Sequence, residues 1–383
     1  MKLGQAAPAR DNNALRVVGL VVLLYVFLVA INLLSDAFKT IGKGQAETLL
    51  GGMTSPFAGL AVGILATVLV QSSSVTTSMV VSAVAGGALD LDLAVFTIMG
   101  CNVGTTITNT LVSLGHARQD AEFRRAFAGA TMHDFFNILA IAIFLPLEMM
   151  TGFLKAGAGR LAAALGEGGL QFLSFTSPIK TVVKFGSSPF KHLLLDGSLP
   201  LTLGVVLVVV IALTGIFVAL LRITRIMRAL MAARLEQALN AALSRSGLLA
   251  ILIGIAMTVA VQSSSITTSL MVPLFAAGIL ELRNGFPVTL GANIGTTVTA
   301  LIATLGVANN DERGQAALTI ALVHLLFNVC GTVLIYPIPA IRDVPVRMAE
   351  WLAGLTMHRK AYAILYILVV FVLLPLVGIL LTQ

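Results

Sequence analysis

Gln71-Ser72-Ser73-Ser74-Val75-Thr76-Thr77-Ser78 is an amide followed by a run of hydroxyls, set between Val68-Leu69-Val70 and Met79-Val80-Val81. It returns as Gln262-Ser263-Ser264-Ser265-Ile266-Thr267-Thr268-Ser269. Polar groups inside an apolar run cost free energy unless they bond to one another or hold a ligand. Lone Ser or Thr residues in apolar helices bond back to their own backbone and mean little. Three in a row after Gln, in two copies, are hard to explain that way. The duplication predicts one site assembled from both halves.

The sequence around these stretches belongs in a bilayer. Of 383 residues, 57% are hydrophobic and 11% charged, with a mean hydropathy of +0.98, whereas soluble domains carry about 25% charge. The net charge of +7 would suit nucleic acid. The basic residues, however, sit at the ends of apolar runs and no aromatic-interleaved basic patch occurs, so the expected surroundings are lipid and no nucleic acid. Cys101 and Cys330 fall in apolar runs and read as free, buried thiols. A crossing helix needs about 20 mainly apolar residues. The candidates are Ala14–Leu34, Leu93–Leu114, Ala126–Met149, Leu201–Leu221, Val288–Leu305, Ala316–Ile338 and Ala361–Leu380. The first lacks a small-residue cleavage site and reads as a retained helix rather than a signal peptide. Thr48–Leu89 and Gly247–Leu280 are each too long for one helix and are interrupted by the Gln-Ser-Ser-Ser run. Each is predicted to be a broken, re-entrant hairpin, because irregular backbone at membrane depth is tolerated only where protein buries it or a cavity wets it.

Shifting the chain by 191 residues superposes two copies without a gap. Thr67 falls on Thr258 and Gln71 on Gln262. Gly100, Asn102, Gly104, Thr105, Thr106 and Thr108 fall on Gly291, Asn293, Gly295, Thr296, Thr297 and Thr299. His133, Phe136, Asn137 and Pro146 fall on His324, Phe327, Asn328 and Pro337. Each copy has a leading helix, a hairpin and two further helices. Three crossings are an odd number, so the second copy is expected to be inverted, as in many secondary transporters. The fold class is therefore an all-α polytopic membrane protein of two inverted-topology repeats, each with a re-entrant hairpin. The expected divisions are 1–47, an N-terminal tail and first helix; 48–150, the first repeat; and 151–200, an extracytoplasmic linker. They continue with 201–245, a linking helix and basic cytoplasmic loop; 246–340, the second repeat; and 341–383, an amphipathic segment and last helix. With the N-terminus inside and the hairpins not crossing, 16 of the 24 Lys and Arg fall on inner segments, as the positive-inside rule requires. Arg222, Arg225, Arg228, Arg234 and Arg245 weigh most.

The two hairpins and the helices that follow them are nearly free of charge. From Gly51 to Gly115 only Asp90 and Asp92 are charged, and from Ser246 to Gly306 only Glu281 and Arg283, all at hairpin exits. An anion bound there must be compensated by hydroxyl and amide donors, by backbone N–H groups at broken helix N-termini, and by co-bound cations. Sodium takes oxygen ligands, as hard cations do, and Ser, Thr, Asn and Gln supply them. An anion channel would be expected to carry Arg or Lys rings. Two glycines flanking Asn102, and again Asn293, would let the backbone approach a ligand and expose its amides; the alternative for them is helix packing. A nucleophilic serine would need a base within reach, and no Gly-x-Ser-x-Gly elbow is present, so no enzyme is expected. Asp134 breaks the repeat, since Leu325 stands at the matching place. It reads as an extra cation site, the alternative being a position near the membrane face. Asn137 and Asn328 read equally as sodium ligands or as interhelical bonds.

Four words taken together resemble the type II sodium-dependent phosphate cotransporter family. They are Gln71-Ser72-Ser73-Ser74, Gly100-Cys101-Asn102-Val103-Gly104-Thr105-Thr106, Phe123-Arg124-Arg125-Ala126-Phe127-Ala128-Gly129-Ala130-Thr131 and His133-Asp134-Phe135-Phe136-Asn137. The resemblance covers roughly residues 48–150 and 246–340. It implies sodium-driven import of inorganic phosphate by alternating access, with phosphate between the two hairpins. Phosphate is then assigned to Gln71, Ser72, Ser73, Ser74 and Thr77, to Gln262, Ser263, Ser264, Ser265 and Thr268, and to Asn102 and Asn293. In the family a sodium site draws on positions that are here Asn293, Thr296, Thr299 and Asn137. The full sodium assignment adds Gln71, Gln262, Asn102, Thr105, Thr106 and Asp134. The aspartate goes with electrogenic members that take divalent phosphate. Ala292 departs from the pattern and removes a hydroxyl ligand. No cofactor is expected beyond co-transported sodium. The compact chain reads as a bacterial inner-membrane protein acting as a monomer, with a homodimer as the alternative arrangement. The runner-up reading is a sodium-coupled carrier of sulfate or a carboxylate; the different-class alternative is a regulatory or enzymatic reuse of the fold.

Overall fold

The computed structural model describes residues 13–41, 55–165, 176–197, 199–243, 247–307 and 312–382. Among the described residues every regular element is a helix. Seven are long and apolar enough to cross a membrane: Leu15–Ala37, Leu91–His116, Asp120–Thr151, Leu201–Ile223, Leu282–Val307, Glu312–Ile335 and Ala361–Leu380. The expected spans all appear, most of them longer than their apolar runs, because helix continues into flanking residues of good propensity.

The first repeat begins with α1 (Asn13–Ile41) and the hairpin α2 (Pro56–Val70) and α3 (Ser73–Gly86). It continues through α4 (Leu91–Gly104), α5 (Ile107–Ser113) and α6 (Asp120–Thr151). Residues 151–200 hold two helices, α7 (Phe153–Ala164) and α8 (Thr176–Leu194). At the corner before α7, Gly152 takes φ 60° and Glu148 accepts the backbone N–H groups of Leu154 (2.5 Å) and Lys155 (3.2 Å). A carboxylate there satisfies orphan donors and complements the helix dipole. The linking helix α9 runs Leu201–Leu243. The basic loop expected at 222–245 is thus helical to Leu243, a correction that follows from its Ala, Leu, Glu and Arg content.

The second repeat has hairpin arms α10 (Gly247–Val261), α11 (Ser264–Ser269) and α12 (Val272–Ala276), then α13 (Leu282–Val307) and α14 (Glu312–Ile335). The segments α15 (Pro339–His358) and α16 (Ala361–Leu380) close the chain. The exit arm is one helix in the first hairpin and two in the second. Pro273 stands where the first copy has Ser82, and proline has no N–H to bond the carbonyl four residues back.

Small residues set the packing that carries the hairpins. A Cβ on Gly100 would lie 2.0 Å from the Leu60 carbonyl oxygen, and one on Gly291 2.0 Å from that of Ile251. Gly63 and Gly254 face Thr97 O at 2.1 Å and Val288 O at 2.2 Å in the same sense. The pairs α2 with α4 and α10 with α13 are therefore backbone-to-backbone contacts, repeated in both copies to within about a tenth of an ångström; close approach through small residues is a common way for membrane helices to associate. The reading of these glycines as bringing backbone to a ligand is corrected: what they approach is another helix.

Candidate functional site

The break in each hairpin is built by its glutamine. Gln71 (φ 55°) and Gln262 (φ 57°) are the only non-glycine residues with positive φ among the described residues. That left-handed conformation costs about 1 to 2 kcal/mol for an L-residue, and local bonds offset it. The backbone N–H of Gln71 reaches Thr67 O at 2.8 Å and its side-chain amide donates to Val68 O at 2.5 Å. Gln262 makes the same bonds to Thr258 O (2.7 Å) and Val259 O (2.6 Å). The amide nitrogens thus finish the first arm rather than facing a ligand. Each Oε1 then accepts from the hydroxyl of a threonine two residues past the glycine–asparagine word, Thr108 at 3.3 Å and Thr299 at 3.0 Å. Next along the chain, Ser72 and Ser263 cap the second arm, their hydroxyls accepting from Val75 N (3.3 Å) and Ile266 N (3.4 Å). The Thr258 and Thr267 hydroxyls, on either side of the break, meet at 3.0 Å, so the arms run side by side there.

The two breaks face one another across a single cavity of about 210 Å³. Its wall is Gln71 to Val75 and Gln262 to Ile266, closed by Phe217, Leu220 and Leu221 of α9. No charged side chain lines it. All eight residues of the two Gln-Ser-Ser-Ser words are brought together here. Thr77 and Thr268 are buried behind the wall, and Asn102 and Asn293 also lie outside it. Thr77 donates to Ser74 O at 3.4 Å, and Thr268 to Asn109 Oδ1 at 2.9 Å. For these four the structure offers no direct face to an anion in the cavity, a correction with two causes. Thr77 and Thr268 lie further along α3 and α11 than the lining residues and turn into the bundle, and Asn102 and Asn293 stand on α4 and α13 rather than on the hairpin arms.

The asparagines instead form a buried chain across the repeats. His133 Nε2 lies 2.6 Å from Asn293 Oδ1. Asn293 Nδ2 donates to Asn137 Oδ1 at 2.8 Å, and Asn137 Nδ2 to the Asn102 carbonyl at 2.9 Å. Asn328 Nδ2 donates to Asn102 Oδ1 at 3.0 Å. Thr105, Thr106 and Thr296 donate to their own helix at Cys101 O (2.8 Å), Val103 O (2.8 Å) and Ala292 O (3.0 Å), which leaves hydroxyl lone pairs for a cation. Cys101 is buried and Cys330 only half-buried; both are free.

Asp134 is fully buried within the bundle. Its Oδ2 accepts from Tyr366 Oη at 2.9 Å and Thr110 Oγ1 at 3.4 Å, while Oδ1 has no protein partner. The sequence superposes Thr108 on Thr299 but assigns only Thr299 to a site, and it does not single out Asn109, Thr110 or Tyr366. Tyr366 lies beyond both repeats, on α16, and carries no sequence signal.

A helical membrane chain whose two broken hairpins converge on one hydroxyl-lined cavity has the build of a secondary carrier. The chain belongs to the Na+/Pi-cotransporter family, whose model matches residues 26–173 and 216–374. It is 33% identical over 440 residues to sodium-dependent phosphate transport protein 2A of Rattus norvegicus, covering 98% of this chain and 69% of the relative. It is 32% identical over 446 residues to sodium-dependent phosphate transport protein 2B of Homo sapiens, covering 94% and 64%. With the 2B protein of Bos taurus the identity is 34% over 442 residues, covering 93% and 63%. No solved structure matches the chain significantly.

Proposed function

We propose that the protein is a sodium-coupled symporter that imports inorganic phosphate, as HPO4 2−, by alternating access and with net charge movement. The observation that carries this is the shared cavity: both Gln-Ser-Ser-Ser words face it and no basic side chain does. An anion in such a wall is held by hydroxyl and backbone donors and needs cations close by, which couples the two. Ser72, Ser73, Ser74, Ser263, Ser264 and Ser265 hold the phosphate in this reading. Oxygen atoms of Gln71, Gln262, Asn137, Asn293, Thr296, Thr299 and Asp134 are the sodium ligands, with Asn102, Thr105 and Thr106 around them. The family match and the relatives' names support the substrate pair. The inversion expected from an odd number of crossings per repeat supports alternating access. The Lys and Arg asymmetry supports an inside N-terminus, and the expected residence is a bacterial inner membrane. The protein acts as a transporter and not as an enzyme, with the monomer as functional unit.

Purified protein in liposomes tests this. Radiolabelled phosphate should accumulate only under an inward sodium gradient, and arsenate should compete while sulfate should not. Uptake that ignores the sodium gradient overturns the coupling, and competition by sulfate rather than arsenate transfers the site to another anion.

A further inference from the structure

A second polar cavity, also of about 210 Å³, lies away from the hairpin breaks and is lined by Gly247, Arg283, Asn284, Tyr336 and Arg342 among others. It sits where the two ends of the second hairpin meet α15. Gly247 opens α10, Arg283 and Asn284 lie in the first turn of α13, and Arg342 in the first turn of α15. The Arg342 guanidinium stacks 5.5 Å over the Tyr336 ring, which holds its fork in place. Arg283 pairs with Asp343 at 3.1 Å, and Arg342 and Arg347 approach the same carboxylate at 3.8 Å and 3.9 Å. Three guanidinium groups thus converge on one carboxylate, which leaves an excess of two positive charges beside the cavity. The N-terminal ends of three long helices add partial positive charge from their unsatisfied N–H groups.

The first repeat carries nothing of this kind. At the places matching Gly247, Arg283, Asn284 and Tyr336 it has Pro56, Asp92, Leu93 and Leu145, and Asp92 forms an ion pair with Lys155. Arg342, Asp343 and Arg347 lie past the repeat altogether. A feature present in only one copy is not required by the duplicated transport architecture. The charge reading of the topology assigns this end of the second hairpin to the inner face.

We propose that this cavity is a separate anion site that takes a phosphate group, supplied either by free phosphate or by an anionic lipid headgroup. Arg283 and Arg342 would grip it as charge-assisted donors, with Tyr336 Oη and Asn284 Nδ2 as further donors. Because the lining joins α10, α13 and α15, an occupant ties both ends of the second hairpin to α15 and restrains its movement.

The test uses purified full-length protein in lipid-free detergent and sodium-free choline buffer, where the sodium-dependent cavity is silent on the reading above. Inorganic phosphate and short-chain phosphatidylglycerol are titrated separately, with dihexanoyl phosphatidylcholine as the zwitterionic control. At least one of the two anionic probes should bind saturably, and which one does identifies the source. Combining Arg283→Gln with Arg342→Gln should weaken that binding about tenfold or more, the value of lost charged hydrogen bonds. Asp343→Asn should tighten it about threefold or more by removing the competing carboxylate, a gain that misfolding does not produce. No saturable binding of either anionic probe overturns the proposal. So do equal binding of the zwitterionic control, binding indifferent to the double substitution, and Asp343→Asn that fails to tighten it. Failure of sodium-driven uptake in liposomes would bear on the transport reading alone.

Discussion

The two repeats share their backbone scheme and differ in their polar content. Gln71 with Thr108 and Gln262 with Thr299 make the same bond, and the glycine contacts of α2 with α4 and α10 with α13 agree closely. Around that shared frame the first repeat carries Asn109, Thr110 and Asp134 where the second has Ala300, Leu301 and Leu325. The second repeat carries Arg283 and Tyr336 where the first has Asp92 and Leu145. What the copies have in common builds the central cavity, and what they do not have in common gives each copy its own charges, Asp134 and Asp92 in the first and Arg283 in the second. On the proposed transport reading, the shared part lets both hairpins close on one ligand and the unshared part sets how much charge moves.

The strongest test of the shared frame lies in its glycines. Gly100→Val and Gly291→Val each force a side chain into a backbone carbonyl, and overpacking of this kind costs upwards of about 3 kcal/mol. Both variants should fail to give a monodisperse peak on size exclusion; a normal elution profile for either would mean that its repeat can relax and that the two frames are not equivalent.

The hairpin breaks should show a smaller, matched effect. Gln71→Ala and Gln262→Ala each remove a cap on the first arm and the acceptor for Thr108 or Thr299. Sodium-driven phosphate uptake should fall by about 10- to 100-fold in each, the scale of losing two or three bonds. A difference of more than tenfold between the two variants would assign the glutamines different roles.

Asp134 tests the asymmetry. Asp134→Asn keeps the oxygen that Tyr366 and Thr110 approach but removes a buried charge. Transport should continue with about one elementary charge fewer moved per phosphate, read as the ratio of current to tracer uptake in the same liposomes. An unchanged ratio removes Asp134 from the cation sites.

The smallest effect compares two glycines that the repeat superposes. A Cβ on Gly115 meets nothing within 4 Å, whereas one on Gly306 lies 2.9 Å from Leu28 O, against α1. Gly306→Ala should lower the thermal midpoint by a few degrees, the scale of about 1 kcal/mol, while Gly115→Ala should leave it unchanged. Equal shifts would show that α1 does not press on the second repeat alone.

The hairpins and all seven spans were legible in the sequence because apolar run length and the placement of Gln-Ser-Ser-Ser are local signals. The helical extension of α9 past residue 222 was missed because charge and propensity point in different directions there. Thr77 and Thr268 were grouped with the serines by adjacency in sequence, but adjacency along a helix is not a shared face. The glycine words were ambiguous because a site and a helix contact both need close backbone approach, and only three-dimensional neighbours separate them.

By itself the sequence determined the bilayer setting, the duplication by 191 residues, and the presence of two matching uncharged polar words. Each of these is carried by composition or by order along one chain. Only the tertiary structure decided that Gln71 and Gln262 take left-handed backbone, that the asparagines bond to each other across the repeats, and that Tyr366 reaches Asp134 from a helix outside both copies. Those facts depend on which side chains meet after folding, over separations of up to 232 residues. The pattern within a segment sets its period and its burial, but its partners are chosen by packing.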